Sequence, residues 1–198
     1  MYKKQMVLQR ILCVAFIIAS VLVFIYALGF MTDVYDMINP LSSSKKTDEM
    51  RQLMTDMDLF DRDFVKAGIG LVIVSLALFL TNTHTRRKYY IGNYIAVALT
   101  AAAAGAAAAW AHGQIGGLKE RYFSGILNFE EIQKALDPHP GRRPPLGVFT
   151  DSAFWFDAHY FVFGILLLAA VLLILNAIWK ISLMRQEKAA LTAGKAVD

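Results

Sequence analysis

Residues 154–179 read FWFDAHYFVFGILLLAAVLLILNAIW, and Asp157 is the single carboxylate in this long apolar stretch. A helix needs about 20 predominantly apolar residues to cross a hydrocarbon core of about 30 Å. This stretch exceeds that length, so a helix built from it can tilt or project from the membrane. It predicts a transmembrane helix and indicates that the chain is a membrane protein.

Three further apolar blocks lie at about residues 11–31, 64–81 and 91–111. The first block follows a basic start, as a signal peptide does, but it is longer than the usual apolar core of about 7–15 residues. No cleavage site of the A-x-A type is evident after it, so it is interpreted as an anchored helix. The sequence therefore predicts an all-α integral membrane protein with a four-transmembrane-helix bundle.

One polytopic membrane domain is expected to cover residues 1–198, with extracytoplasmic loops at about 32–63 and 112–153. Its 198 residues are 57% hydrophobic and only 18% charged, against about a quarter charged in soluble domains. No compact basic face with interleaved aromatic residues is present, which argues against nucleic acid binding. The single cysteine, Cys13, excludes an internal disulfide, a metal-thiolate site and a CxxC redox site. No cofactor is expected.

The distribution of basic residues predicts the orientation in the membrane. Ten of the 20 Lys and Arg lie in the two tails and in the loop Arg86–Lys88, within roughly 40 residues. The other ten are spread over roughly 80 residues on the opposite side. Because cytoplasmic loops carry the higher density of Lys and Arg, both termini are expected in the cytoplasm.

Span three is dominated by small residues, since Ala101–Ala109 is interrupted only by Gly105. Small side chains let helices approach closely in lipid, where no hydrophobic force drives helices together. This span is therefore expected at the centre of the bundle, or else packed against another copy or another protein. The predicted packing residues are Ala101, Gly105 and Ala108.

The first outer loop is expected to contain a short amphipathic helix. Thr47 is a suitable N-cap, and Asp48 and Glu49 complement the helix dipole in the first turn. This helix is expected to cap the bundle; binding a partner and lying on lipid are the two alternatives. Its apolar face consists of Met50, Leu53, Met54, Met57 and Phe60. This face is also the candidate partner surface, because methionine adapts to varied contacts.

The second outer loop opens with three glycines in Gly113–Gly117, which predict a flexible exit from span three. Asn128 and Glu131 have the spacing of a capping box. A second short helix is therefore expected over about residues 129–136, with Asp137-Pro138 ending it.

The candidate chemistry lies at one end of spans three and four. His112 ends span three, Asp157 and His159 open span four, and His139 lies between them. Histidine and carboxylate together can bind a metal or serve as acid and base. Asp157 and His159 are two residues apart and project from nearly opposite sides of a helix, so His112 can meet only one of them. The catalytic candidates are His112, Asp157 and His159; the metal candidates are His112 and His159.

The sequence contains no HExxH, GxSxG or phosphate-binding glycine motif. No charged residue lies in the middle of a predicted span, which argues against an ion-coupled transporter. The leading hypothesis is a non-enzymatic accessory subunit or scaffold of a membrane complex, which associates with a protein partner or with further copies of itself. The alternatives are a membrane-embedded enzyme with an outward-facing His/Asp site, and a pore formed by oligomers.

Overall fold

The computed structural model describes residues 2–30, 47–83, 91–130 and 152–195. Each of the four helices in these ranges is long and apolar enough to cross a membrane, which supports the prediction of an all-α, multi-pass membrane protein. The helices are α1 Tyr2–Phe30, α2 Asp48–Asn82, α3 Ile91–Tyr122 and α4 Phe154–Lys195.

Helix α2 begins where the sequence predicts, because Thr47 Oγ1 accepts a hydrogen bond from the backbone N–H of Met50 at 3.2 Å. The helix does not stop before span two, however. The expected short loop helix is the first half of a continuous 35-residue helix. At 1.5 Å per residue this helix is about 52 Å long, which exceeds the thickness of a hydrocarbon core of about 30 Å.

Helix α3 continues past Ala111 to Tyr122, so the prediction of a flexible exit at Gly113–Gly117 is wrong. Each glycine inside a helix costs about 1 kcal/mol relative to alanine. Burial of Ile115, Leu118 and Tyr122 on one face of the same turns offsets that cost. The chain leaves the helix in a turn with Gly125 at φ 90°. Most of the helix predicted at 129–136 lies outside the described residues.

The chain divides into two compact units. We call Met1–Ser20, Leu71–Ala106 and Ile165–Asp198 the terminal unit. We call Val21–Gly70 and Ala107–Gly164 the loop unit. Every helix contributes a segment to each unit.

Amide side chains connect three helices in the terminal unit. Asn176 Nδ2 on α4 donates a hydrogen bond to Gln9 Oε1 on α1, and Gln9 Nε2 donates to Asn82 Oδ1 on α2 at 3.5 Å. Polar side chains of this kind hold helices together in lipid. Further buried polar residues in this unit are Gln5, Ser20, Ser75, Asn93, Thr100 and Lys180.

Aromatic rings form the core of the loop unit. The Phe64 ring lies 5.1 Å from that of Phe60, 5.6 Å from Tyr26 and 6.1 Å from Phe163, measured between centroids. Beside this cluster α1 and α2 approach closely, because a Cβ placed on Gly68 would lie only 3.0 Å from Phe24 Cα. The other residues of the cluster are Phe30, Trp110, Trp155 and Phe156.

Of the four helices, α3 has the smallest buried share of its apolar stretch, 22%. The described residues therefore do not support its expected position at the centre of the bundle. Ala108 is buried, but a Cβ added at Gly105 would meet no heavy atom within 4 Å. Packing of Gly105 against another copy or another protein remains a prediction.

Candidate functional site

Two histidines meet in the loop unit, one from α3 and one from α4. His112 Nδ1 lies 3.0 Å from His159 Nε2. The His159 ring is 4% exposed, whereas His112 is exposed to the surroundings. The sequence predicts that His112 can meet only one of its two candidate partners, and in the structure it contacts His159.

The hydrogen bonds of the pair determine where its protons lie. The backbone carbonyl of Phe156 only accepts hydrogen bonds, so the adjacent His159 Nδ1 must donate to it. In the neutral ring, His159 Nε2 then carries a lone pair, and His112 Nδ1 donates to it. The Nε2 atom of His112 then carries a lone pair that accepts no hydrogen bond from the described residues, which makes it the basic end of an ordered relay from Phe156 through His159.

Asp157 does not join this pair. Its carboxylate binds Lys119 Nζ at 2.6 Å, with the two side chains 48% and 37% exposed. Solvation at that exposure leaves such a pair contributing at most about 1 kcal/mol. The side chain that does lie beside the histidines is Tyr160, with its ring centroid 3.9 Å from that of His159.

Among the described residues the pair has the hydrogen bonds that acid–base chemistry needs but no third metal ligand. Zinc sites take three or four protein ligands, and the described part of the chain contains no group of three or more His, Cys, Asp or Glu able to hold a metal. His139, the remaining sequence candidate, lies outside the described residues. A histidine whose ring is oriented by a second hydrogen-bonded group is a typical general base.

A buried carboxyl group in the loop unit was missed by the sequence reasoning. Asp61 is 1% exposed, and neither of its oxygens has a hydrogen-bond partner among the described residues. The available signal was its spacing, since Met57, Asp61, Phe64 and Gly68 lie on one face of a helix. Asp61 acts electrostatically on Tyr26, whose hydroxyl donates to the carbonyl of Trp155 at 2.5 Å.

No protein-family model, curated protein or solved structure matches this chain.

The five apolar residues predicted as a partner surface are all buried within the chain. Their exposed fractions run from 0% for Leu53 to 9% for Met54. Capping of the bundle by this segment remains a prediction. A partner surface on Met50, Leu53, Met54, Met57 and Phe60 remains a prediction that requires these side chains to be uncovered.

A cleft of about 460 Å³ lies between α2 and α3 in the loop unit. We call it the α2–α3 cleft. The sequence signal for it is the spacing of Gly113 and Gly117, one helical turn apart, which the expectation of a flexible loop obscured. Its lining residues are Asp56, Leu59, Phe60, Asp63, Trp110, Gly113, Gln114, Gly117, Leu118 and Arg121.

Proposed function

We propose that this protein acts by association, as an accessory subunit or scaffold of a membrane complex, and that a helix of its partner packs into the α2–α3 cleft. The observation that carries the proposal is the open space beside two glycines that line the cleft, Gly113 and Gly117, which we call its floor. A Cβ added at Gly113 or Gly117 would meet no heavy atom within 4 Å. Two small residues four apart let a second helix approach closely.

The walls of the cleft support a protein partner. Leu59 is 57% exposed and Trp110 is 37% exposed. Large apolar and aromatic side chains exposed around a depression are typical of interaction sites, and tryptophan is enriched among the residues that dominate binding energy.

Charged side chains border these apolar walls. Arg121 Nη1 lies 2.6 Å from Asp56 Oδ2, and Asp63 pairs with Lys66 at 2.8 Å. Such charges at the rim of an interface contribute more to partner choice and association rate than to affinity. A polar rim around an apolar centre is the usual organisation of a protein interface.

The experiment places a photo-crosslinking amino acid at Gln114 of the full-length chain in native membranes. The wild type is expected to give one discrete crosslinked product, which mass spectrometry then identifies. Gly113→Leu and Gly117→Leu fill the floor and are expected to remove that product. Gly164→Leu is the matched control, because Gly164 is also an exposed helical glycine with open space around it.

The thermal stability of all three variants should stay near that of the wild type, because a Cβ added at any of the three positions meets no heavy atom within 4 Å. A monomer in mild detergent with no crosslink from position 114 contradicts the proposal. A crosslink that survives both floor variants places the partner elsewhere and contradicts the role of the cleft.

The histidine pair favours a second candidate, a membrane-embedded enzyme with His112 as general base. A free and oriented Nε2 should react rapidly with the imidazole-selective reagent diethyl pyrocarbonate. Modification of His112 is expected to be faster than that of a histidine peptide, and His159→Ala should remove the difference. Equal rates in the peptide, the wild type and the variant argue against this candidate.

A further inference from the structure

Lys180 of the terminal unit lies in an unusual environment for a lysine. Its side chain is 8% exposed, and its ammonium group lies 5.3 Å from the centroid of the Tyr94 ring. No carboxylate in the part of the chain that the structure describes forms an ion pair with it. A buried charge without a counter-ion is costly, and the aromatic face offsets only part of that cost.

A second buried polar group lies at the same level of the terminal unit. Gln9 and Asn176 are hydrogen-bonded, and α1 and α4 run antiparallel, because Tyr26 later in α1 bonds Trp155 earlier in α4. Gln5 and Lys180 are therefore each one helical turn closer to the chain termini on the faces that meet. Gln5 is 1% exposed, and neither its Nε2 nor its Oε1 has a hydrogen-bond partner in the described ranges. An amide donor and an ammonium group without partners together suit an anion.

An apolar groove of about 530 Å³ lies between α3 and α4 in the same unit. Tyr94 connects the groove to Lys180, because its ring lies under the Lys180 ammonium and also lines the groove. Tyr94 and Ile181 form the end nearer the chain termini. The other lining residues are Val97, Ala98, Ala101, Ala102, Ile174, Ala177 and Ile178.

We propose that the groove binds one anionic phospholipid, with its phosphate at Lys180 and an acyl chain along Ala98 and Ala101. Charge complementarity supports this occupant. Beyond the unpaired ammonium, this end of the unit carries an excess of basic side chains, which attracts anionic lipid. The exposed basic residues are Lys3, Lys4, Arg10, Arg185 and Lys188.

The lining of the groove suits a hydrocarbon chain. From Tyr94 to Ala102 the groove extends eight residues along α3, about 12 Å. Apart from the Tyr94 hydroxyl, its lining side chains are all apolar.

The test measures thermal unfolding of the purified full-length chain in detergent with added dioleoylphosphatidylglycerol, dioleoylphosphatidylcholine or sodium phosphate. Only the anionic lipid is expected to raise the unfolding temperature of the wild type. Lys180→Met removes the charge, and Ala177→Phe fills the groove; each should weaken the apparent affinity for that lipid about tenfold. Lys188→Met and Ala106→Phe change an exposed lysine and an exposed alanine outside the groove, and both should leave the affinity unchanged.

Equal stabilisation by sodium phosphate, retained in Ala177→Phe, would indicate a phosphate site without an acyl chain and overturn the proposal. Equal stabilisation by both lipids would show that the ammonium selects nothing and would also overturn it. A discrete partner helix crosslinked at Ala101 would assign the groove to protein association instead. None of these outcomes bears on the α2–α3 cleft, which contains no residue of this groove.

Discussion

His112 Nδ1 lies 3.0 Å from His159 Nε2, and the carbonyl of Phe156 on the far side of His159 determines which ring donates. Both rings therefore carry their proton on Nδ1 when neutral. Protonation of His159 at Nε2 removes the lone pair that accepts the hydrogen bond from His112. If His112 is also protonated, two positive charges lie side by side. The relay therefore exists only while His159 is neutral.

Replacing His159 by alanine should destabilise the protein more than replacing His112. The His159 ring is buried and hydrogen-bonded, and loss of such a buried polar contact costs about 1–3 kcal/mol. His112 is exposed, so water can replace its lost contact. Thermal unfolding of both variants checks this order, and elemental analysis accompanies it. A stoichiometric metal lost in both variants would contradict the metal-free interpretation.

Replacing Asp61 by asparagine should stabilise the protein at pH 8. An ionised carboxylate buried without a hydrogen-bond partner is costly, and the neutral amide of similar shape removes that cost. The advantage should shrink as the pH falls, because the protonated acid and the amide are then both neutral. Unfolding temperatures of the two proteins between pH 8 and pH 5 test this. A variant less stable at every pH would show that the carboxylate has a cationic partner.

Two glycines on α2 should respond in opposite directions to alanine. A Cβ at Gly68 would lie 3.0 Å from the backbone of Phe24, whereas one at Gly70 would meet nothing within 4 Å. Gly68→Ala should therefore cost about 1–3 kcal/mol through steric overlap. Gly70→Ala should be neutral or gain up to about 1 kcal/mol of helix propensity. Equal unfolding temperatures for the two variants would contradict the close approach of α1 and α2.

The hydrogen bond between Gln9 and Asn176 should appear as a coupling energy. In bacteriorhodopsin, such bonds between membrane helices contribute about 0.6 kcal/mol on average, up to about 1.7. A double-mutant cycle with Gln9→Leu and Asn176→Leu, measured by denaturant unfolding, should give a value in that range. If the losses of stability in Gln9→Leu and Asn176→Leu simply add in the double variant, the two amides do not interact.

The orientation of the chain in the membrane can be tested with single cysteines at Ser124 and Lys188. Ser124→Cys and Lys188→Cys are introduced separately into a Cys13→Ala background. Because basic density places the termini in the cytoplasm, only the cysteine at 124 should react with a membrane-impermeant thiol reagent on intact cells. Both positions are exposed in the structure, so burial does not limit either reaction. Labelling at 188 alone would reverse the topology.

The sequence predicted four helices long and apolar enough to cross a membrane, because the length of such apolar blocks is matched to bilayer thickness and can be read without a structure. It misplaced where helices end. Gly113–Gly117 resembles a linker locally, but the burial of Ile115 and Leu118 keeps the segment helical. Propensity is a weak guide when tertiary contacts compensate for it.

The candidate site was predicted in part. His112 and His159 were expected as possible partners because both lie at the same end of neighbouring spans. Asp61 was missed because a carboxylate just before a predicted span is normally assigned to solvent. Lys180 was counted only as a charge that sets orientation. For Asp61 and Lys180 alike, burial depends on which side of its helix the residue lies on and on how the neighbouring helices pack against that side.

The position of Trp110 gives the α2–α3 cleft an intrinsic optical reporter. Its indole lines the cleft, is 37% exposed and lies 5.4 Å from the ring of Phe60. The other two tryptophans, Trp155 and Trp179, do not line the cleft. In a Trp155→Phe, Trp179→Phe background, the emission wavelength therefore follows the polarity around one side chain. Entry of an apolar helix shifts that emission to the blue, so cleft occupancy can be followed in real time without a label.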